Sequence, residues 1–250
     1  MLALKIANLQ FAYPETPVLR GISLEIPEGQ HVGLIGPNGV GKTTLFHAIC
    51  GILKPTGGSV HLFEQPIKAG RFNPDVGLLF QYPDDQLFSP SVREDIAFGP
   101  LNMGLSPEDV KQRVQSAIDA TAIEYIADRT PHQLSGGQKR MVAIAGVQAM
   151  QPRVMLYDEP SANLDIRSRR RLMAFIKNSA ETVLVSSHDL ELILELSQRV
   201  ILLDEGRIIA DGDPLEIMGN AALMEAHGLE KPHSLRPHRH TTGNPDRHAH

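Results

Sequence analysis

The sequence predicts an α/β protein: a phosphate-loop core on a mixed sheet, with an N-terminal antiparallel β subdomain and an inserted helical subdomain. Three observations predict it. A glycine-rich loop, Gly36-Pro37-Asn38-Gly39-Val40-Gly41-Lys42-Thr43-Thr44, stands between a short apolar run and a helix start. Two alternating segments precede that loop. A stretch of helical periodicity, from about residue 91 to residue 151, then separates further apolar runs.

In chain order, residues 2–13 and 18–26 alternate apolar with polar side chains and read as antiparallel strands. His31 to Ile35 is a strand leading into the loop, and Leu45 to Cys50 reads as the start of the helix that follows it. Residues 51–58, with Pro55 and two closing glycines, form a turn-rich link. Residues 59–63 and 76–80 are the next strands, and Gln81 falls at the end of the second. Ser106-Pro107-Glu108-Asp109 is a helix start, with a Ser cap, Pro in the first turn and acids behind it. Val110, Val114, Ala117, Ile118 and Thr121 then repeat at helical spacing and define its core face. Val154 to Tyr157 is a buried strand ending on Asp158 and Glu159. A polar turn, residues 161–165, leads into a helix that opens with Arg167, Arg169, Arg170 and Arg171, read as a solvated basic face. Residues 182–186 are a strand ending at Ser187-His188-Asp189, residues 190–197 a helix, and residues 199–204 and 207–210 a hairpin about Glu205-Gly206.

The loop carries the first chemistry. Gly36, Gly39 and Gly41 let the backbone take positive φ and approach a polyphosphate closely. The N–H groups of Pro37–Thr44 that remain then form an anion nest at a helix N-terminus. Lys42 adds a positive charge near the terminal phosphates, and the Thr43 hydroxyl can ligate Mg²⁺. Asp158 and Glu159 stand at the carboxyl end of a strand, where open α/β sheets bind ligands. Asp158 suits a Mg²⁺-linked position and Glu159 suits polarising a water. Leu134-Ser135-Gly136-Gly137-Gln138 opens a helix and forms a second anion-binding candidate, although these residues alone describe an ordinary helix cap. On the residues alone, Tyr13 fits a core position and Gln81 a loop amide, while His188 at a strand end can donate to a γ-phosphate oxygen.

Composition narrows the class. A formal net charge of -5 over 250 residues argues against a nucleic-acid binder held by a general basic face. One cysteine, Cys50, cannot form an internal disulfide. The N-terminus does not read as a signal peptide. No stretch approaches 18 uninterrupted apolar residues, so no transmembrane helix is expected. Residues 231–250 hold His233, His238, His240, His248 and His250 among three prolines. That composition predicts a disordered tail, either a loose Ni²⁺, Co²⁺ or Zn²⁺ ligand or an inert polar segment.

Taken in order, these residues resemble the ATP-binding-cassette family of transporter ATPases, from about Leu4 to Gly228. The resemblance implies one nucleotide-binding domain over 1–228, its helical subdomain at about 82–151, and a His-rich tail over 229–250. It implies ATP and Mg²⁺ as ligands. It also implies that Tyr13 stacks on adenine, that Gln81 switches between Mg²⁺ and a transport partner, and that Glu159 is the catalytic base. Asp165 would lie in the turn crossing a dimer interface, and His188 would sense the γ-phosphate. Ser135, Gly136, Gly137 and Gln138 would close over an ATP held by the loop of a second copy. Residues 81–88 and 94–100 resemble the energy-coupling-factor importers, and among them the cobalt and nickel ATPases. Tyr82, Val40 and Asn163 depart from the commoner residues at their positions. The expected partners are a second copy, an integral membrane coupling subunit and a substrate-binding membrane subunit, at the cytoplasmic face of the cell membrane, without nucleic acid. A vitamin-type cargo is the alternative within this class. Cassette ATPases of DNA repair or translation fit less well: about 90 residues without heptads separate the two glycine motifs, and only one cassette is present.

Overall fold

A computed structural model describes residues 1–14 and 16–236. Two sheets organise it. The first is antiparallel, in the order β2-β1-β4-β5, built from β1 (Leu2–Tyr13), β2 (Thr16–Pro27), β4 (Gly57–Leu62) and the short β5 (Gln65–Pro66). The second has the order β10-β9-β3-β8-β7-β6. Its members are β3 (His31–Ile35), β6 (Val76–Leu79), β7 (Val154–Asp158), β8 (Thr182–Ser186), β9 (Arg199–Asp204) and β10 (Arg207–Gly212). All its pairings are parallel except that of β9 with β10.

Parallel strands covered on both faces need apolar side chains throughout. β3, β7 and β8 are accordingly buried at every position. On one face lie α1 (Lys42–Ile49) and the antiparallel sheet, joined through Leu4, Ile26, Phe46, Leu156 and Leu184. On the other lie α2 (Val92–Asn102), α3 (Pro107–Thr121), α4 (Gly136–Gln148), α5 (Ile166–Lys177) and α6 (Leu190–Leu196). Because the strands run the same way, the carboxyl ends of β3, β6, β7 and β8 open along one edge, and the loop, Gln81, Asp158–Glu159 and Ser187–His188 leave from it.

The helical segment follows its local signals. Ser106 caps α3, its Oγ accepting from the Asp109 N–H at 3.2 Å. Val110, Val114, Ala117, Ile118 and Thr121 are all buried. Ala122 ends the helix in the left-handed region, and Arg171 from α5 donates to the Thr121 and Ala122 carbonyls.

Several expectations are corrected. The strand expected at 59–63 begins at Gly57, and that expected at 76–80 ends at Leu79, so Gln81 lies two residues beyond it. Two short helices, α7 (Pro214–Gly219) and α8 (Ala221–Ala226), follow the hairpin; sequence periodicity singled out neither. The arginines of α5 are not one solvated face. Arg167 and Arg170 are exposed, whereas Arg169 pairs with Asp189 at 2.6 Å and Arg171 grips α3. The first part of the expected tail is ordered: His233–Leu235 form a helical turn, and Ser234 donates to both carboxylate oxygens of Glu191. The remaining tail residues, including His238, His240, His248 and His250, lie outside the described residues. Among the described residues no helix is long and apolar enough to cross a membrane.

Ile118 is fully buried, whereas the Ser106 cap is exposed. Ile118→Ala should cost about 2–5 kcal/mol for the transfer and cavity terms. Ser106→Ala should cost about 1 kcal/mol for the lost cap. Urea denaturation of the two variants checks this order, and a larger loss at Ser106 would contradict it.

Candidate functional site

The phosphate loop takes the shape its glycines permit. Gly36, Gly39 and Gly41 have φ of 151, 79 and 108°. At Gly36 a side chain is impossible, since a Cβ would lie 2.0 Å from the Leu203 carbonyl oxygen of β9. The loop is thus pressed against the sheet edge, and α1 starts directly behind it. Lys42 is buried and its Nζ donates to the carbonyls of Gly36 and Pro37, both at 2.8 Å. Burial lowers its pKa, opposed by the carboxylates of Glu159 and Asp158.

Asp158 joins three elements. The Thr43 hydroxyl, in the first turn of α1, donates to its Oδ2 at 2.6 Å, and the Ser186 hydroxyl, at the end of β8, donates to its Oδ1 at 2.6 Å. Glu159 follows with φ of 47°, a left-handed conformation that is unusual for a glutamate. The turn redirects its side chain out of the strand's alternation. Oε2 accepts from the His188 N–H at 3.2 Å and the Ser187 hydroxyl at 3.4 Å. Oε1 is buried without a hydrogen-bond donor; His188 Nε2 lies 3.3 Å away, but not in hydrogen-bonding orientation. Burial raises the Glu159 pKa, only partly offset by the His188 N–H and imidazole and by Lys42.

These groups surround one cavity of about 760 Å³. Tyr13, Asn38, Gly39, Gly41, Lys42, Thr43, Thr44, Gln81, Asp158, Glu159 and His188 all line it. Tyr13 is 50% exposed and stands edge-on to Phe11, ring centroids 5.0 Å apart, so it forms an open aromatic wall rather than a core residue. Gly36, Pro37 and Val40 support the loop from behind without lining the cavity.

A second group lies elsewhere. Ser135, Gly136, Gly137, Gln138 and Asp165 do not line the cavity. Ser135 and Gln138 form a reciprocal capping box at the start of α4: Ser135 Oγ accepts from the Gln138 N–H at 3.4 Å, and Gln138 Oε1 from the Ser135 N–H at 2.9 Å. Asp165 caps α5, accepting from the Ser168 N–H at 2.8 Å and hydroxyl at 3.0 Å, which holds its carboxyl below the usual range. Gly137 must be glycine for packing, because a Cβ there would lie 2.2 Å from Ser168 Oγ. The two starts of α4 and α5 are therefore one surface.

The cavity also holds residues that sequence reasoning did not single out. The Arg169–Asp189 pair lines it, and no local pattern links residues 20 apart. Ser187 lines it too, and Ser186 anchors Asp158; a hydroxyl run at a strand end was the available signal. Asn163 explains its departure from the commoner residue in part, since its φ of 61° is one that asparagine tolerates.

The residues present suit a magnesium-bound nucleotide. Among the described residues no three His, Cys, Asp or Glu side chains converge as a metal cage. A hydroxyl, one carboxylate and an amide are what a cation sharing its coordination with phosphates requires.

Comparison with known proteins agrees with this geometry. A family model described as ABC transporter matches residues 19–162. A relative from Synechocystis sp. is 53% identical over 235 residues, covering 94% of this chain and 83% of its own length. The energy-coupling factor transporter ATP-binding protein EcfA of Methanothermobacter thermautotrophicus is 42% identical over 238 residues, covering 92% of this chain and 76% of that one. Among solved structures, cbiO1 from Clostridium perfringens, described as part of the ABC transporter complex cbiONQ, superposes with a TM-score of 0.79 at 36% identity, covering 90% of this chain and 94% of that one. The chain belongs to the ABC transporter family and is one of its ATPases, of the energy-coupling-factor type.

Proposed function

We propose that this ATPase powers an importer of cobalt, or of nickel, by closing as a pair over two ATP molecules and reopening after hydrolysis. The observation that carries the catalytic part is the pair of successive carboxylates, Asp158 with both oxygens engaged and Glu159 with one oxygen free. The loop N–H groups and Lys42 bind the phosphates, Tyr13 stacks on the base, and His188 donates to the γ-phosphate. Mg²⁺, held by Thr43 and Gln81 and linked to Asp158, would neutralise charge on the phosphate oxygens. Glu159 Oε1 accepts the proton of the attacking water while Oε2 stays anchored.

The cavity is a half-site. Its own chain leaves one side of a triphosphate open, and Ser135–Gln138 sit on a different surface. A second copy, docked head to tail, would present those N–H groups and the α4 dipole to the open side, with Asp165 crossing between the copies. Closure excludes bulk water and strengthens each of these contacts.

The membrane partner docks beside Gln81. There an apolar groove of about 510 Å³ is lined by Phe80, Leu87, Phe88, Phe98 and Met150. Phe88 and Phe98 are 62% and 50% exposed and pack edge to face, an apolar patch of the kind that marks an interaction surface. The metal cargo rests on the resemblance of residues 81–88 and 94–100 to cobalt and nickel ATPases, with the His-rich tail as a secondary support.

Four outcomes are expected. Glu159→Gln should bind ATP with unchanged affinity and hydrolyse it roughly 10²-fold more slowly or worse; steady-state turnover beside nucleotide titration checks it. The wild-type rate should fall on acidification through a pKa above the ordinary carboxylate range, because the base must be ionised and burial raises its pKa; this limb should vanish in the variant. Lys42→Ala should weaken ATP binding, and an unaltered dissociation constant would contradict the phosphate contact. With membrane subunits co-expressed, radiolabelled Co²⁺ or Ni²⁺ uptake should require the intact ATPase; vitamin uptake in place of metal uptake would redirect the cargo assignment.

A further inference from the structure

Arg140 is 2% exposed, inside the second turn of α4. Among the described residues no carboxylate lies within ion-pair distance of it. Its Nη1 donates to the Phe80 carbonyl and its Nη2 to the Gln81 carbonyl, both at 2.7 Å, and its Nε has no partner. A buried cation without a counter-ion is costly, and the two carbonyls are its compensation. Burial pulls its pKa down only to about 10, so it stays charged at neutral pH.

The two acceptors are informative. In an extended strand successive carbonyls point to opposite sides. Here two successive carbonyls converge on one guanidinium, just past the end of β6 at Leu79. The chain has therefore left the extended form, and the planar fork of Arg140 holds it in the bent one. Gln81 is the residue so held, and its side chain lines the nucleotide cavity. A parallel tether runs from Lys139 Nζ to Asp84 Oδ1 at 2.5 Å. Gln86 closes the segment on itself, accepting from the Phe80 N–H at 3.2 Å and donating to the Leu78 carbonyl at 3.3 Å.

We propose that Arg140 is a positioning residue for ATP hydrolysis, which ties the helix led by Ser135–Gln138 to the backbone around Gln81 so that the two move as one body. Engagement of α4 on the nucleotide of a second copy is thereby transmitted to Gln81 in its own cavity, and from there to the groove beside it. This rests on the half-site reading above. A lysine keeps the charge but replaces the two fixed nitrogens of the planar fork by one rotatable point donor, and methionine keeps the bulk without the charge.

The test compares wild type, Arg140→Lys and Arg140→Met by ATPase kinetics, thermal melting and hydrogen exchange with and without ATP. Arg140→Lys should lower kcat about 10-fold or more with KM for ATP within about 2-fold, the signature of a contact acting after binding. Wild type should show ATP-dependent protection in residues 78–88 and in residues 134–146. Arg140→Lys should keep the second response and lose the first. The proposal is overturned if Arg140→Lys retains both responses and its kcat. It is also overturned if the rate per folded molecule is unchanged, in Arg140→Lys or, should Arg140→Met fold, in that variant. Absence of any ATP response in wild type would instead remove the half-site reading, and this proposal with it.

Discussion

The buried carboxylate of Asp158 is the point on which the site is hung. It is 4% exposed and takes a hydroxyl on each oxygen, Thr43 from the start of α1 and Ser186 from the end of β8. Charge-assisted hydrogen bonds of this kind contribute about 1.5–3 kcal/mol each. Their geometric effect matters as much. They lock the helix behind the phosphate loop to two neighbouring strands, so the loop, the Thr43 hydroxyl and the adjoining Glu159 are positioned by one residue. Without that lock the loop would keep its contact with Leu203 and its Lys42 hydrogen bonds but lose its tie to β7 and β8.

Two carboxylates adjacent in sequence are thereby given opposite characters. Asp158 ends its strand with a hydroxyl on each oxygen. Glu159 turns out of the strand's alternation through a left-handed backbone and leaves one oxygen without a donor. The His188 N–H holds its other oxygen in place. An ordered acceptor, buried enough to raise its basicity, on a residue that lines the cavity, is the product of that arrangement.

How much of this is legible in the sequence depends on how local each cause is. The phosphate loop, the α3 cap at Ser106, the Glu205–Gly206 hairpin and the core face from Val110 to Thr121 are all set by neighbours within a few residues, and each is readable. The convergence of Tyr13, Gln81 and His188 on one cavity is a property of the parallel sheet, and spacing could not supply it; the family resemblance did. Arg169 and Arg140 were opaque for a related reason. Their partners, Asp189 and the Phe80–Gln81 carbonyls, lie 20 and about 60 residues away, and an arginine in a helix carries no mark of whether its partner is water or protein. α7 and α8 are six residues each, too short for periodicity to declare them. Order at residues 231–236 arises from Ser234 binding Glu191, again a distant partner that composition does not register.

The most direct measurement is a structure of the wild-type chain with Mg²⁺ and a non-hydrolysable ATP analogue. Two copies related head to tail are expected, each triphosphate touching Lys42 of one copy and Ser135–Gln138 of the other, with Glu159 Oε1 facing the γ-phosphate. A triphosphate enclosed by a single copy in a preparation that hydrolyses ATP at full rate would contradict this arrangement.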